Sequence, residues 1–153
     1  MKKEVSKGVL ASNRKAHFNY FLSDFLEAGV ELKGTEIKSL RKNGASLSDA
    51  YIAFKSGEAY IVNMHIAPYE HGNIFNHDPL RTRKLLLHKL EIRRFLAKVK
   101  EKGFTILPTK LYLSRGKVKC EIALGKGKKL YDKRETIKQR DIKRDLDKTT
   151  KVF

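Results

Sequence analysis

The sequence holds a single cysteine, Cys120, among 153 residues. No disulfide can therefore form within the chain, as expected of a protein of the reducing cytoplasm. Acidic residues are also scarce: 17 Asp and Glu stand against 34 Lys and Arg, a net charge of +17. No apolar run reaches the length of a membrane span, and the basic start Met1-Lys2-Lys3-Glu4 leads into no apolar stretch of signal-peptide length. No internal repeat is present, so a solenoid is not expected. A Walker-type phosphate loop is missing too, because Gly125-Lys126-Gly127-Lys128-Lys129 has neither the preceding spacing nor a Ser or Thr after the lysine. These absences leave a cytoplasmic chain with no membrane partner.

The positive charge is spread along the chain, which suits a partner carrying phosphates along a track better than a membrane surface. From Gly125 to Phe153, Lys and Arg outnumber Asp and Glu by 11 to 5, and apolar residues are thinly scattered. Such a segment cannot bury enough apolar surface to offset the entropy of ordering it. The expected organisation is one domain over 1–124 and a basic, disordered tail over 125–153. Within the tail, Ile137, Ile142 and Leu146 approximate one helical stripe, and Lys143 with Asp147 makes an i, i+4 pair. An isolated helix of this length is nonetheless marginal in water until phosphates relieve its self-repulsion.

In the body, Met1 to Lys7 reads as a loose arm and Gly8 to Ala11 as a short strand. Phe18, Phe21, Leu22, Phe25 and Leu26 follow the spacing of one helix face and predict a helix from Asn13 that stops at Gly29, with Glu27 on its solvated side. Val30 to Gly34 predicts a short strand, and Glu36 to Arg41 a turn or two of helix. Ala50 to Lys55 and Ala59 to Met64, joined by Ser56-Gly57-Glu58, form the clearest hairpin. A long connection from Ile66 to Leu80 is marked by Pro68, Gly72 and Pro79. An amphipathic helix with Ile92, Phe95, Leu96 and Val99 inward ends at Gly103. Nine basic residues against two acidic ones between Arg81 and Lys102 exceed what solubility requires. Phe104 to Leu113 reads as strand, broken by Pro108 at an edge or a bulge. After a turn at Ser114-Arg115-Gly116, Val118, Cys120, Ile122 and Leu124 alternate inward against Lys117 and Lys119. The fold class is α+β, mainly β: a small antiparallel barrel of the oligonucleotide-binding type with about three helices and the basic tail.

Two chemistries compete for these residues. His71, His77 and Asp78, with Glu70, form the best candidate set for a metal-dependent ribonuclease, but they lack compact ligand spacing. Cys120, on an apolar strand face, is poorly placed for a nucleophile. Binding is better supported: lysines and arginines neutralise phosphates while Tyr20, Tyr51, Tyr69 and Tyr131 offer rings to exposed bases. A generic ribosome-associated RNA-binding barrel meets the same description. No cofactor is expected.

Six blocks in order sharpen this. Asn13-Arg14-Lys15-Ala16, Glu27-Ala28-Gly29, Gly34-Thr35-Glu36-Ile37-Lys38-Ser39-Leu40-Arg41, Gly57-Glu58-Ala59, Arg81-Thr82-Arg83-Lys84-Leu85-Leu86-Leu87 and Gly127-Lys128-Lys129 through Asp132-Lys133-Arg134 together resemble the bacterial SsrA-binding protein (SmpB) family. The resemblance implies a non-enzymatic, oligonucleotide-binding-type barrel that grips the tRNA-like end of transfer-messenger RNA. It implies delivery of that RNA to stalled ribosomes, where the tail enters the empty message channel beside small-subunit RNA. Through the RNA, the implied partners extend to elongation factor Tu and alanyl-tRNA synthetase. Carried over by position, Asn13, Glu27, Leu86 and Lys119 match RNA-holding residues, and Gly127, Lys128, Lys129, Tyr131, Asp132, Lys133 and Arg134 match the ribosomal tail signature. The family role gives Glu27 a use that no lysine has, because a carboxylate accepts hydrogen bonds from a base edge or a 2′-hydroxyl. Tyr131 departs from the histidine common in the family: both rings stack on a base, but only histidine gains a proton near neutral pH.

Overall fold

The computed structural model describes residues 8–72, 74, 76–101 and 103–152, and the side chains of all of these except 130–132 and 145–152. The arm read at Met1 to Lys7 lies outside the described residues. In chain order the elements are β1 (Val9–Ser12), α1 (Arg14–Asn19), β2 (Tyr20–Val30), α2 (Gly34–Asn43), β3 (Tyr51–Lys55), β4 (Glu58–Val62), β5 (Arg83–Leu86), α3 (Lys89–Lys100), β6 (Phe104–Ser114), β7 (Lys117–Gly127) and α4 (Leu130–Val152). The strands make one open antiparallel sheet in the order β1-β6-β7-β2-β5-β4-β3. The sheet curls so that β3 comes against β6, but those two strands share no ladder.

Both tight hairpins close as their sequences predict. Ser56 and Gly57 (φ 53° and 76°) and Arg115 and Gly116 (φ 52° and 77°) are left-handed pairs, whose twist matches that of the flanking strands. The core lies on the concave side: Ile61, Leu85, Leu111, Cys120 and Ile122 are fully buried, and α3 adds Ile92 and Phe95. Val99, expected to point inward, is 37% exposed, because the last turn of α3 runs past the core. Pro108 sits at a bulge, as expected, but β6 is not an edge strand, since β1 and β7 flank it.

The largest departure from expectation is at residues 20–30, which form a strand and not the second half of a helix. Helix α1 lasts six residues, and β2 then runs along β7 for eleven. A bulge explains the false signal: Ser23 faces Leu124 and Leu26 faces Ile122, so β2 carries one extra residue there, with Asp24 at φ 54°. That insertion shifts the alternation in mid-strand, so Leu22, opposite Gly125, and Leu26, opposite Ile122, fall on opposite faces and no single period of two runs through residues 20–30. Glu27 and Gly29 are therefore strand residues, and no helix end lies beside them. The predicted strand at Val30 to Gly34 keeps only Val30. Leu85 and Leu86, unassigned in the sequence reading, form β5 with Arg83 and Lys84.

Among the described residues there are four helices in place of about three, the fourth being the C-terminal segment that was expected to be disordered. It forms one helix, α4, while β7 continues three residues past the expected boundary at 124. Helical pairs supply part of the reason: Arg144 bonds Asp141 at 2.5 Å, and Lys128 ties the start of the helix to Thr136 at 2.8 Å. No helix is long and apolar enough, among the described residues, to cross a membrane.

One buried ionic cluster joins α2 to the strands. Glu36 and Arg83 are both fully buried; Arg83 Nε donates to Glu36 Oε2, and Arg81 Nη2 donates to Oε1 at 2.6 Å. Arg83 also donates to the Met64 and Pro79 carbonyls at 2.5 and 3.2 Å. Burial alone would raise the Glu36 pKa, but hydrogen bonds from Arg81, the Lys33 backbone N–H and Arg83 outweigh it and hold it below the ordinary 4.5. The folded-state value is thus depressed, so this contribution to stability is complete above pH ~4.5 and is lost as the pH falls through the lower folded value. Glu36→Gln should cost about 3–5 kcal/mol at pH 7, because it strands a buried guanidinium. Urea unfolding at several pH values checks this: the variant should lose less stability than wild type below pH ~4.5, whereas parallel curves would contradict the assignment.

Candidate nucleic-acid interface

Strand register brings together residues that are far apart in the chain. Glu27 on β2 pairs with Glu121 on β7, which pairs in turn with Lys110 on β6. Two residues along, Gly29 pairs with Lys119 on one side and with Leu86 of β5 on the other, and Lys119 pairs with Tyr112 of β6. Side chains two apart on a strand share a face, and cross-strand partners share it too. Glu27, Lys119 and Leu86 therefore occupy adjacent rungs on the outer face of β6-β7-β2-β5. Gly29 leaves room in this row: a Cβ there would come within 3.2 Å of Leu86 Cβ, so that side chain, 55% exposed, would have to give by a few tenths of an ångström.

Two carboxylates directly opposite each other, Glu27 and Glu121, repel unless they are compensated. Lys110 Nζ lies 3.4 Å from Glu121, and the Tyr112 hydroxyl donates to Glu27 Oε2. Lys110 also lies over the Tyr112 ring, 5.5 Å from its centre. Burial, then the hydrogen bond to anionic Glu27, pushes the Tyr112 phenol above its ordinary pKa, so it remains a donor throughout the neutral range. One oxygen of Glu27 is thereby anchored, and the other is left to accept from a ligand. These residues, with Phe25, line a cleft of about 390 Å³. Tyr112, Lys110 and Glu121 were missed in the sequence, since only the pairing of β6 with β7 reveals that they share a surface with Glu27.

Asn13 is placed differently. It is 3% exposed, its amide donates to the Leu47 and Pro108 carbonyls at 3.1 and 2.8 Å, and its oxygen accepts from the Ala16 N–H at 3.1 Å. It caps α1 and ties that helix to β6, which makes it a positioning residue here.

The tail signature gathers at the other end of β2. Gly127 pairs with Tyr20, roughly 20 Å of extended chain from Glu27. Lys128 donates to the His17 carbonyl at 3.4 Å and lies over the Phe21 ring at 5.1 Å, which fixes the start of α4 beside α1. Lys129 and Arg134 are exposed, and Lys133 is half-buried in the first turns of α4. The side chains of Tyr131 and Asp132 lie outside the described residues. Of the other rings proposed to stack on bases, Tyr20 and Tyr51 line a second cleft, of about 410 Å³, and Tyr69 packs edge-on against His71 at 5.4 Å.

The geometry does not favour the metal-site alternative. His77 is buried, with Nε2 2.9 Å from the Ile66 carbonyl and Nδ1 2.9 Å from the Thr35 hydroxyl. A carbonyl only accepts, so Nε2 carries the proton and both ring nitrogens are engaged within the protein. Asp78 accepts from the Leu80 N–H at 3.0 Å, and no three His, Cys, Asp or Glu side chains converge on a metal position among the described residues.

Comparison with known proteins follows the same lines. The SmpB protein family matches residues 10–152. An SsrA-binding protein of Staphylococcus epidermidis is 53% identical over 151 residues, covering 99% of this chain and 97% of its own. One of Malacoplasma penetrans is 55% identical over 144 residues, covering 94% and 99%. A solved chain described as "tmRNA-SmpB: a journey to the center of the bacterial ribosome" superposes with a TM-score of 0.67 at 47% identity, over 78% of this chain and 85% of that one.

Tyr112→Phe keeps the ring and removes the donor to Glu27. It should weaken binding of a structured RNA about fivefold at fixed salt, since the lost bond orients Glu27 and is not itself made to the RNA. Gel shift on the variant, with its melting temperature recorded beside wild type, checks this; equal affinity would mean that the hydroxyl does not orient Glu27.

Proposed function

The chain belongs to the SmpB family, and from that premise we propose that it is an RNA-binding adaptor of trans-translation. It holds the tRNA-like domain of transfer-messenger RNA (SsrA) and delivers that RNA to ribosomes stalled on messages without a stop codon. The observation that carries the reading is the outer row of β6-β7-β2-β5, where Glu27, Lys119 and Leu86 stand in adjacent rungs on a chain of charge +17. Lys119 answers a phosphate, Glu27 accepts from a base edge or a 2′-hydroxyl, and Leu86 gives an apolar surface against a sugar or base. The chain works by binding, and the chemistry belongs to its partners, among them elongation factor Tu and alanyl-tRNA synthetase acting through the RNA. Its place of action is the cytoplasm.

The tail acts on the second RNA. α4 begins at the end of β2 away from Glu27, so one rigid ladder separates the two jobs and α4 is free to enter the vacant message channel near small-subunit RNA. Gly127, Lys128, Lys129, Tyr131, Asp132, Lys133 and Arg134 lead that entry. The working division is a body over 1–124 and a tail over 125–153, with the last rungs of β7 as the joint. The curl that brings β3 against β6 supports reading the sheet as a barrel of the oligonucleotide-binding type whose seam is closed by packing.

Removing residues 130–153 should leave transfer-messenger RNA binding within about twofold and abolish peptide tagging on stalled ribosomes; equal loss in gel-shift and tagging assays would reject the division of labour. Glu27→Ala should weaken transfer-messenger RNA about tenfold and transfer RNA much less, since the carboxylate reads a specific donor. A uniform loss for both RNAs would show that the contact is not selective.

A further inference from the structure

Helix α3 carries a stripe of cations that no part of the chain uses. At 3.6 residues per turn, Lys89, Arg93 and Lys100 fall within about 40° of one another around the helix axis and span about 16 Å along it. All three are exposed, and none forms an ion pair among the described residues. The acids nearest in sequence are engaged elsewhere: Glu91 accepts from the His88 N–H at 2.9 Å in the helix cap, and Glu101 lies 3.8 Å from Lys98. On the far flank, Arg94 lies over the Phe95 ring at 5.4 Å. Unpaired like charges along one side of a helix repel one another, a cost that an anionic partner would remove.

The stripe also has a definite neighbour. Leu86, the last residue of the outer row Tyr112-Lys119-Gly29-Leu86, is three residues from Lys89, with only Leu87 and His88 between. The cations therefore begin three residues beyond the end of that outer row. We propose that α3 extends the RNA interface of the sheet: Lys89, Arg93 and Lys100 neutralise consecutive backbone phosphates of the same RNA whose shaped part sits against Glu27, Lys119 and Leu86. This rests on the function proposed above. Over 16 Å a nucleic-acid strand presents several phosphates, and a row of isolated cations contacts them without reading sequence. The sheet supplies selectivity, and α3 supplies affinity and orientation. The exposed Leu90 beside the stripe (76%) makes an anionic membrane the competing partner that the test separates.

The test is the salt dependence of binding to the tRNA-like domain of transfer-messenger RNA, measured on full-length protein for wild type, K89A/R93A/K100A and, as a charge control, R94A/K98A. Each phosphate contact contributes about 0.7–0.9 to the slope of log K against log salt, so the triple variant should lose about 2–3 from the slope and the control less than 1. The preference for this RNA over a duplex of equal length should be unchanged. A slope unchanged in the triple variant, or reduced equally in the control, overturns the proposal. So does unchanged binding to this RNA combined with lost sedimentation onto ribosomes or phosphatidylglycerol vesicles, which would assign the stripe to another partner. If wild type itself did not prefer the tRNA-like domain, the functional reading would fail, and that outcome is distinct from a change in slope.

Discussion

Strand β7 is hydrogen-bonded on both sides along most of its length, to β6 and to β2, and the placement of Glu27, Lys119 and Gly127 follows from those two registers. Its inward positions, Val118, Cys120, Ile122 and Leu124, are buried, so slipping the strand by one residue would turn all four to solvent and Lys119 and Glu121 to the core. The hydrophobic core thus enforces the register, and the register sets Glu27 beside Tyr112 and Lys119 beside Leu86. At the other end of the strand it sets Gly127 beside Tyr20, which fixes where α4 departs. In the function proposed here, RNA selectivity and tail delivery both depend on one ladder.

Charge plays two separate parts around that ladder. Glu36 and Arg83 are closed inside the protein, where Arg83 also donates to backbone carbonyls, and partly exposed Arg81 completes the cluster that joins α2 to the strands. Their engagement with Glu36 makes Arg81 and Arg83 structural, although they belong to a strongly basic stretch. On the outer face the acids are handled differently. Glu121 is answered by Lys110, while Glu27 is held by a neutral phenol through one oxygen. A neutral partner orients a carboxylate without cancelling its charge or filling both acceptors, and that is what recognition of N–H or O–H donors on a polyanion requires.

Much of this was legible in the sequence, and the failures have identifiable causes. The hairpin at Ser56-Gly57, the turn at Arg115-Gly116, helix α2 and the buried stripe of Ile92 and Phe95 all follow from local chemistry. Residues 20–30 were misread because the bulge at Asp24 breaks the two-residue alternation in mid-strand, while Phe21, Leu22, Phe25 and Leu26 keep the spacing of a helix face. Strand β5 is four residues long and flanked by β2 and β4, too short to show a period. Glu27, Leu86 and Lys119 emerged from a family resemblance, whereas Tyr112 and Glu121 did not, because their relevance lies wholly in cross-strand pairing. Asn13 stands in a matching motif and is buried, where it caps α1. The tail was read as disordered from its charge, but helical pairs and the anchoring of Lys128 at α1 give it a helix.

The central claim is that opposite ends of one strand serve two different RNAs. Site-specific photo-cross-linking tests it most directly, with a photoreactive residue placed either at Phe25, half-exposed on the cleft beside Glu27, or at Lys138, exposed on α4. On ribosomes stalled with transfer-messenger RNA, the account predicts that position 25 cross-links to transfer-messenger RNA and position 138 to small-subunit ribosomal RNA. Cross-links from both positions to the same RNA would contradict it.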